Sequence, residues 1–500
     1  MSKSRIFVVA ALGLFLLLGR GANAFADVDD KSIVYKFWQK ILPIPDDRLD
    51  LGGYVKNETS VRMAHGFDEF MKIRNEIGMK VDYEITDSVE LFTYYRWFWD
   101  GVYTVEDRIY RDVSFEDINR KLRMPEKLQW LRECYIDIYT DRLDVRAGKQ
   151  QVVWGTADGV RILDMVNPLD YREWTLKSYA DTRIPLWMIN IEGELMLDGH
   201  LQLLLIPDYE PNYYAPPGSP FTLRTVDLGN KGVNTLSRFG ITTTSVDESP
   251  AKQFKNTKIG VRWQNVIGGW DYTLNYLHTY DFASAAYTVW NLRGGQFALE
   301  RRSEQIDVFG LSFSKTLTEG FLPNLFKGWT LRGEFAYIKG GAMNYGYDET
   351  IENTVDVDQY NYCLGFDRTF WTNWLFSYQF IQFIADKKED FPQYYTSPFT
   401  GPTTIENTLL FGPTRGGLDT ITTMMTLKLS TDFMYERLKP EVLIIYGFDS
   451  DWRVSPKCSY EISDEWMITG GMHVFSGDEQ GLNGQFDKND QVFVETTYNW

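Results

Sequence analysis

The feature that most constrains the fold is an alternation of apolar and polar residues that recurs from about residue 51 to residue 500. In residues 72–85 the odd positions are mostly apolar and the even positions mostly charged, and the same period of two returns in residues 89–99, 258–264 and 329–337. Segments of about ten residues with this period have the length of a strand that crosses a bilayer at a tilt. Strands of ordinary sandwiches are nearer five or six residues long. The pattern predicts an all-β fold, a transmembrane antiparallel β-barrel.

The connections between these segments alternate in length. Tight turns are predicted at 86–87, 140–142, 198–199, 268–269, 372–373 and 463–464. Long polar or Gly- and Pro-rich connections are predicted at 101–127, 155–185, 207–256, 282–301, 340–357, 387–417 and 477–490, with one short outer connection near 449–451. Outer-membrane barrels have short periplasmic turns and longer extracellular loops. We therefore predict about 18 strands, an even number that places both ends of the barrel in the periplasm.

Composition excludes several other classes of protein. Phe, Trp and Tyr number 32, 16 and 30, or 16% of the 500 residues, which is too aromatic for a disordered chain. The net charge of −18 argues against nucleic acid as a partner, because binding to nucleic acid depends on cationic contacts to phosphate. The three cysteines are far apart and form no CxxC pair, so structural zinc, covalent haem and a disulfide framework are not expected.

The N-terminus has the pattern of a cleaved leader. Lys3 and Arg5 precede an apolar stretch at 6–18, and small residues at 22–24 form an A-x-A site. We predict a signal peptide over residues 1–24, with cleavage after Ala26 as the second choice, and hence export to the cell outer membrane. Residues 25–50 would be an N-terminal periplasmic or plug segment, either a short helix or an unstructured lead-in. Residues 51–500 would form the barrel.

The final segment also alternates. In residues 491–500, Val492, Val494 and Tyr498 share a face with the terminal Trp500. An aromatic residue at the end of an alternating last strand is typical of barrels that the outer-membrane assembly machinery inserts. This machinery is therefore an expected partner, together with outer-membrane lipid and lipopolysaccharide.

Several motifs resemble a family of Gram-negative outer-membrane proteins, the domain of unknown function 1302 family. They are VRAGKQQVVWG at 145–155, DGVRILDMVNPLD at 158–170, LLLIPDYEPN at 203–212, FSGD at 475–478 and GQFDKND at 484–490. The sequence departs from the family pattern at Lys149, where arginine is expected, and at the terminal Trp500. The resemblance implies an outer-membrane barrel with a transport role, and some relatives are thought to act beside exporters of the resistance-nodulation-division type that handle hydrophobic compounds. The arginine-rich strand before a long loop is also faintly similar to alginate-export barrels.

Charged residues on the inner parity of the predicted strands are candidates for the lumen wall. The candidates are Arg74, Arg96, Arg142, Asp144, Arg146, Arg262, Arg332 and Glu334. Charges that face a water-filled lumen can set solute selectivity. Alternatively, they pair across neighbouring strands and stiffen the wall. Both interpretations remain open from the sequence, because cations and anions are mixed on this face.

The long connection at 155–185 is more apolar than a solvated loop requires. We expect it to fold back into the lumen as a constriction or plug, and the alternative is a loop docked on the outer surface. The candidate constriction residues are Asp158, Arg161, Asp164, Asn167 and Pro168.

No catalytic arrangement is visible in the sequence. The four histidines are scattered, GxSxG and HExxH are absent, and no glycine-rich phosphate loop occurs. We therefore expect no enzyme activity, no catalytic residues, and no cofactor or metal.

The expected function is that of a porin-like outer-membrane channel that moves a small solute or an exported compound. One alternative is the outer-membrane component of a multi-protein export or electron-conduit complex, for which a periplasmic exporter or carrier protein is the candidate partner. The other alternative is a surface receptor or adhesin with a plugged lumen.

Overall fold

The described part of the chain is dominated by one large sheet. The computed structural model describes residues 48–63, 67, 69–105, 130–195, 199–215, 219–223, 242–283, 285–291, 296–318, 326–347, 350–387, 394–397, 401–404, 408–410, 421–448, 451–478 and 481–500. The predicted signal peptide and nearly all of the predicted N-terminal segment lie outside these residues.

Eighteen long strands within the described residues form the ring of this sheet, and the three-residue strand Thr408–Leu410 joins it by pairing with one of them. They are β1 (Leu49–Arg62), β2 (Phe70–Thr86), β3 (Val89–Asp100), β4 (Leu131–Tyr139), β5 (Leu143–Gln150), β6 (Leu186–Leu195), β7 (Gly199–Ile206), β8 (Lys258–Ile267), β9 (Trp270–Tyr280), β10 (Gln305–Thr316), β11 (Trp329–Tyr347), β12 (Thr350–Phe370), β13 (Trp374–Lys387), β14 (Ile421–Ser430), β15 (Leu438–Gly447), β16 (Asp451–Glu461), β17 (Trp466–Ser476) and β18 (Gln491–Asn499).

The sheet closes on itself. Each strand pairs antiparallel with the next strand along the chain, and β18 pairs antiparallel with β1, for example Glu495 with Glu58 and Tyr498 with Val55. The structure is therefore a closed antiparallel barrel, and the prediction of about 18 strands is confirmed. Closure leaves no unpaired sheet edge, which is the requirement for a sheet in a bilayer.

Smaller elements lie in the connections. Helical turns occupy Val102–Val105, Tyr179–Thr182, Phe254–Asn256 and Gly484–Asn489. Short strands occupy Asp170–Thr175, Tyr213–Tyr214, Thr242–Glu248, Ala285–Asn291, Gln296–Arg302, Tyr394–Ser397, Gly401–Thr404 and Thr408–Leu410. Within the described residues, no helix has both the length and the apolar character to cross a membrane.

Most of the predicted turns and loops lie between the expected strands, with one clear error. The six predicted tight turns all fall between consecutive barrel strands, and two further turn-side connections, at 317–328 and 431–437, were missed. The stretch 340–357 is wrong as a loop, because β11 and β12 continue through it as one hairpin with Met343 opposite Val355. Its glycines and polar residues imitate a loop composition. Cross-strand pairing nevertheless satisfies the backbone, and bulges at Ile338/Gly341 and Tyr345/Gly346 accommodate the irregular sequence.

The outward face of the barrel is apolar. Ile77, Leu274, Phe309 and Val494 point away from the lumen and are 46%, 50%, 46% and 38% exposed. Outward-facing aromatic residues form one row near the turns and a second row nearer the loops. The first row includes Trp270, Phe313, Trp329, Phe370, Phe376, Trp374, Phe433, Trp466 and Tyr498, and the second includes Tyr276, Phe309, Tyr337 and Tyr360. Two aromatic rows that flank an apolar band are typical of a barrel in a membrane.

The backbone conformation at one position in the barrel wall requires glycine. Gly148 in β5 has a φ of 143°, and a Cβ there would lie 2.2 Å from the carbonyl oxygen of Cys134 and 2.5 Å from the Cα of Tyr135. Gly148 therefore allows β4 and β5 to approach each other closely.

We predict that Gly148→Ala destabilises the barrel. The backbone conformation alone costs about 1–3 kcal/mol for a non-glycine residue, and the steric overlap adds to this. The measurement is the free energy of unfolding in denaturant of protein refolded into lipid vesicles. Gly470→Ala on β17 is the control, because a Cβ at this position meets no atom within 4 Å. Equal stabilities of the two variants would contradict the prediction.

Candidate functional site

Residues 151–185, which we call the lumen loop, connect β5 to β6 and lie inside the barrel. Asp181 of the loop pairs with Arg96 on β3 at 3.4 Å. At its other side the loop contacts β11, where Glu334 accepts a hydrogen bond from the Leu163 amide at 3.2 Å. Since β3 and β11 are eight places apart in a ring of eighteen strands, a segment that contacts both must lie within the ring.

The first half of the loop packs on an apolar part of the inner wall. Ile162, Leu163 and Val166 are each at most 2% exposed. They contact the inner faces of β6 to β14, which we call the apolar arc, formed by Leu186, Met188, Leu204, Ile206, Leu277, Ile306, Val308, Ala336, Ile338, Cys363, Ile381 and Met424. Burial of each such side chain contributes about 1.5–3 kcal/mol. The apolar residues of the loop thus hold it in the lumen.

Polar contacts fix the position of the loop on the apolar arc. Glu334 accepts hydrogen bonds from the Thr156 amide and hydroxyl and from the Leu163 amide. Arg332 donates to the Thr156 carbonyl and pairs with Asp158. The side-chain amide of Gln379 on β13 makes two hydrogen bonds of 3.0 Å with the backbone of Asp158. Two strands, β11 and β13, therefore bind residues 156–163 in one register.

The two ends of the loop are joined to each other. Asn167 is 1% exposed, accepts from the Val152 amide at 2.8 Å and donates to the Ile184 carbonyl at 3.0 Å. Arg183 pairs with Asp164 at 2.7 Å. These contacts satisfy polar groups in a region from which water is excluded, as buried polar groups require.

The second half of the loop faces charged residues on β1 to β4 and β16, which we call the charged arc. Glu173 contacts Lys72 and Arg74 of β2 and lies 3.0 Å from Lys177 of the loop itself. Arg132 on β4 donates to the carbonyls of Ala180 and Asp181, and Arg453 on β16 donates to the Thr175 carbonyl at 3.0 Å. The second half of the loop is therefore held by ion pairs and by hydrogen bonds from arginine side chains to its backbone carbonyls.

Glu173 is ionised in this environment. Burial by itself favours the protonated acid, but the cations of Arg74, Lys177 and Lys72 outweigh burial and hold the pKa of Glu173 well below its usual range. Two of these cations have a second carboxylate partner, since Glu58 lies 2.6 Å from Lys72 and Asp100 lies 3.4 Å from Arg74.

Two cavities lie on different sides of the lumen loop. A cavity of about 310 Å³ on the turn side is lined by Arg146, Glu192, His200, Gln202 and Arg262. A smaller one of about 60 Å³ lies between the second half of the loop and the charged arc. Trp174 of the lumen loop belongs to an aromatic cluster with Phe475 at the end of β17 and with Phe221 and Phe486 of the outer connections. The first half of the lumen loop thus borders one cavity, and its second half borders the other.

The structure distributes the predicted lumen residues over the wall. Arg74 and Arg96 lie on the charged arc, Arg332 and Glu334 bind the lumen loop, and Arg146 and Arg262 line the turn-side cavity. Arg146 also makes two hydrogen bonds with Asp137 on the neighbouring strand, at 2.7 and 2.9 Å. Arg142 lies in the exposed turn between β4 and β5, and Asp144 is exposed close to that turn.

All five predicted constriction residues lie in the lumen loop. Asp158, Asp164 and Asn167 bind as described above, Arg161 donates to the Asn167 carbonyl at 2.6 Å, and Pro168 accepts from the Ile184 amide at 2.8 Å. These residues hold the shape of the loop and do not form a ring of charge around an opening.

Three residues that hold the lumen loop against the wall were not identified from the sequence. Glu173, Asp181 and Gln379 carry the contacts between the loop and the two arcs. The available signal was the group of charged residues at 170–183, which is unusual in a loop expected to enter a barrel. Within the described residues, no group of three or more His, Cys, Asp or Glu is placed to hold a metal ion.

We predict that Glu334→Gln loosens the first half of the lumen loop. Removing the charge weakens three hydrogen bonds in a buried site, which costs about 1–3 kcal/mol. The measurement is amide hydrogen exchange of residues 152–163 in the refolded protein, which should become faster.

The matched control is Glu495→Gln, because Glu495 also faces the lumen but pairs with Lys56 on the wall at 3.7 Å. Equal protection of residues 152–163 in both variants would show that Glu334 does not hold the loop.

Some solved structures have a similar shape. They include OmpF of Salmonella typhi in complex with daunomycin (10% identity, 91% of this chain and 99% of that chain, TM-score 0.40). OccAB2 of Acinetobacter baumannii (9% identity, 91% and 98%, TM-score 0.47) and a BenF-like porin from Pseudomonas fluorescens Pf-5 (7% identity, 90% and 98%, TM-score 0.45) are others.

Family membership rests on the sequence. No protein of curated function matches the chain. The model of the family described as "Protein of unknown function (DUF1302)" matches residues 67–499, most of the chain and nearly all of the barrel. The expected resemblance is thereby confirmed, and the chain belongs to the DUF1302 family.

Proposed function

We propose that this protein is a porin-like channel of the bacterial outer membrane, which moves a small solute across it and is closed by the lumen loop in the state described. We propose no enzyme activity for this protein. It rests on the closed ring, the apolar outer band and the arrangement of the lumen loop.

The outer membrane is the proposed location because of the outer surface. An apolar band flanked by aromatic rows is stable when acyl chains cover it, and a closed barrel is one of the two architectures that satisfy the backbone in lipid. The predicted leader agrees with export. Outer-membrane lipid and lipopolysaccharide are the proposed surroundings, and the barrel-assembly machinery is the proposed route of insertion.

The observation that carries the proposal is the placement of the lumen loop between two cavities. An eighteen-stranded barrel is wide enough for an aqueous channel, as barrels of 16–18 strands are. Here one continuous loop contacts opposite parts of the wall, and wall and loop side chains such as Glu334, Arg332 and Glu173 make these contacts. Such contacts can break and re-form, so movement of the loop would connect the two sides of the lumen.

We predict that replacing residues 158–179 by a short Gly/Ser linker raises the single-channel conductance several-fold. The deletion removes the segment that fills the lumen and leaves all eighteen strands. The measurement uses the refolded protein in a planar bilayer, with heat-modifiable electrophoretic mobility as the test of folding.

The control deletion removes residues 344–354 at the end of the β11–β12 hairpin, where these two strands pair with each other and β11 also pairs with Thr408–Leu410. It should leave the conductance unchanged. If the lumen-loop deletion folds and conducts no better than the full chain, the loop does not close a channel.

A second candidate function is that of the outer-membrane component of a multi-protein complex. One observation favours it. In the turn-side connection at 431–437, Met434, Tyr435 and Glu436 have φ values of 58°, 59° and 65°, and Tyr435 is fully exposed. Left-handed backbone is costly for non-glycine residues and persists where the structure over-determines it. Met434 is also exposed, at 58%. This turn would present an apolar tip to a periplasmic exporter or carrier protein.

We predict that a photo-crosslinking residue at Tyr435 captures a periplasmic-domain protein in cells if this second function applies. The matched position is Phe254, which is 88% exposed in a connection on the opposite side of the barrel. A crosslink of the same partner at both positions, or at neither, would rule out the turn as the docking point.

A further inference from the structure

Glu173 occupies a site built from cations of the wall. Lys72 and Arg74 are 6% and 7% exposed, and both contact the Glu173 carboxylate, which also lies 3.0 Å from Lys177. The carboxylate therefore meets three cations at once. Charge-assisted hydrogen bonds of this kind are among the strongest that side chains form.

The two wall cations each have one carboxylate partner besides Glu173. Glu58 lies 2.6 Å from Lys72, and Asp100 lies 3.4 Å from Arg74. Glu173 is the carboxylate that contacts both cations at once, and it is carried by the lumen loop and not by the wall. Another carboxylate that reached the same two cations would form charge-assisted hydrogen bonds of the same kind.

The surroundings of the site are apolar and aromatic on one side. Met71, Phe98 and Phe221 line the same cavity as Lys72 and Arg74, and the Arg74 guanidinium lies 5.0 Å from the centre of the Phe98 ring. The Nε of Arg74 is buried and has no hydrogen-bond partner among the described residues. A ligand that fits both features has an anionic head and an apolar, preferably aromatic, body.

We propose that Lys72 and Arg74 form the binding site for the carboxylate of an amphipathic organic acid that the channel transports, and that Glu173 occupies this site as an internal competitor when the lumen is closed. This inference rests on the proposed channel function. A bound acid would replace the Glu173 carboxylate on Lys72 and Arg74, and its apolar body would contact Met71, Phe98 and Phe221. Binding would thereby release the second half of the lumen loop from the charged arc.

The test is binding of radiolabelled benzoate to the purified full chain, measured by equilibrium dialysis. We expect Glu173→Gln to bind benzoate at least about tenfold more tightly than the unmodified protein, because the competing carboxylate is gone and the fraction of open sites rises. Adding Arg74→Gln to this variant should abolish the gain. Benzamide, which has the same shape without the charge, should show no difference between the proteins, and acetate should bind more weakly than benzoate.

The matched control is Asp158→Asn, which removes a carboxylate from the same loop. Asp158 pairs with Arg332 on the opposite arc, so the benzoate affinity should stay within about twofold of the unmodified protein. Heat-modifiable mobility verifies that each variant is folded. Should Glu173→Gln fail to fold, Lys72→Gln supplies the test, because it must weaken any residual benzoate binding.

Equal benzoate affinities in all folded variants, or a gain that benzamide shares, would overturn the proposed site. If acetate bound as tightly as benzoate, the aromatic part of the proposal would be wrong. Dialysis measures binding and not conduction. A result against the binding site therefore leaves the proposed channel function standing, and a result against the channel leaves the binding site standing. Tight benzoate binding by a protein that never conducts would refute the channel and retain the site.

Discussion

Closure of the sheet is the constraint on which the rest of the structure depends. A strand in lipid cannot leave its backbone N–H and C=O groups without partners, so the last strand must find the first. Here the seam between β18 and β1 runs from Asn499 opposite Tyr54 to Gln491 opposite Arg62. Once the ring is closed, each strand has one face toward lipid and one toward the lumen, and the alternating sequence becomes an apolar exterior and a largely polar interior.

A ring of eighteen strands encloses more space than its own side chains fill, and the lumen loop occupies that space. The loop matches the wall in two different ways. Its first half is apolar and covers an arc from β6 to β14 that would otherwise expose leucine, isoleucine and valine to water inside the barrel. Gly310 on that arc leaves room for Leu163, whose Cδ2 would lie 2.4 Å from an added Cβ. The second half of the lumen loop places Glu173 and Asp181 against the cations of the charged arc. The apolar side provides a non-directional attachment and the ionic side an attachment that competing ions can weaken.

The apolar and the ionic attachment of the lumen loop differ in how a solute could displace them. Displacing Ile162 and Leu163 from the apolar arc would expose apolar surface on both partners, whereas displacing Glu173 from Lys72 and Arg74 needs only another anion of suitable shape. The charged arc is therefore the side of the lumen at which the loop is expected to yield first. The small cavity already present there, beside Phe98 and Phe221, lies where such an anion would arrive.

Local sequence was sufficient for the barrel. The period of two assigned Lys72, Arg74 and Glu334 to the lumen face and Ile77 and Phe335 to the outer face, because each residue along a strand alternates sides whatever its partners are. The apolar residues at 160–166 indicated a loop with something to bury. Composition misled where cross-strand pairing overrode it, as in the hairpin at 340–357. Which wall residues meet the loop was decided by tertiary structure alone. Glu334 and Leu163 are 171 residues apart, and Asp158 and Gln379 are 221 apart. Contacts at such separations depend on the curvature of a closed ring and on the path of a loop across it, and neither is encoded in any local pattern of residues.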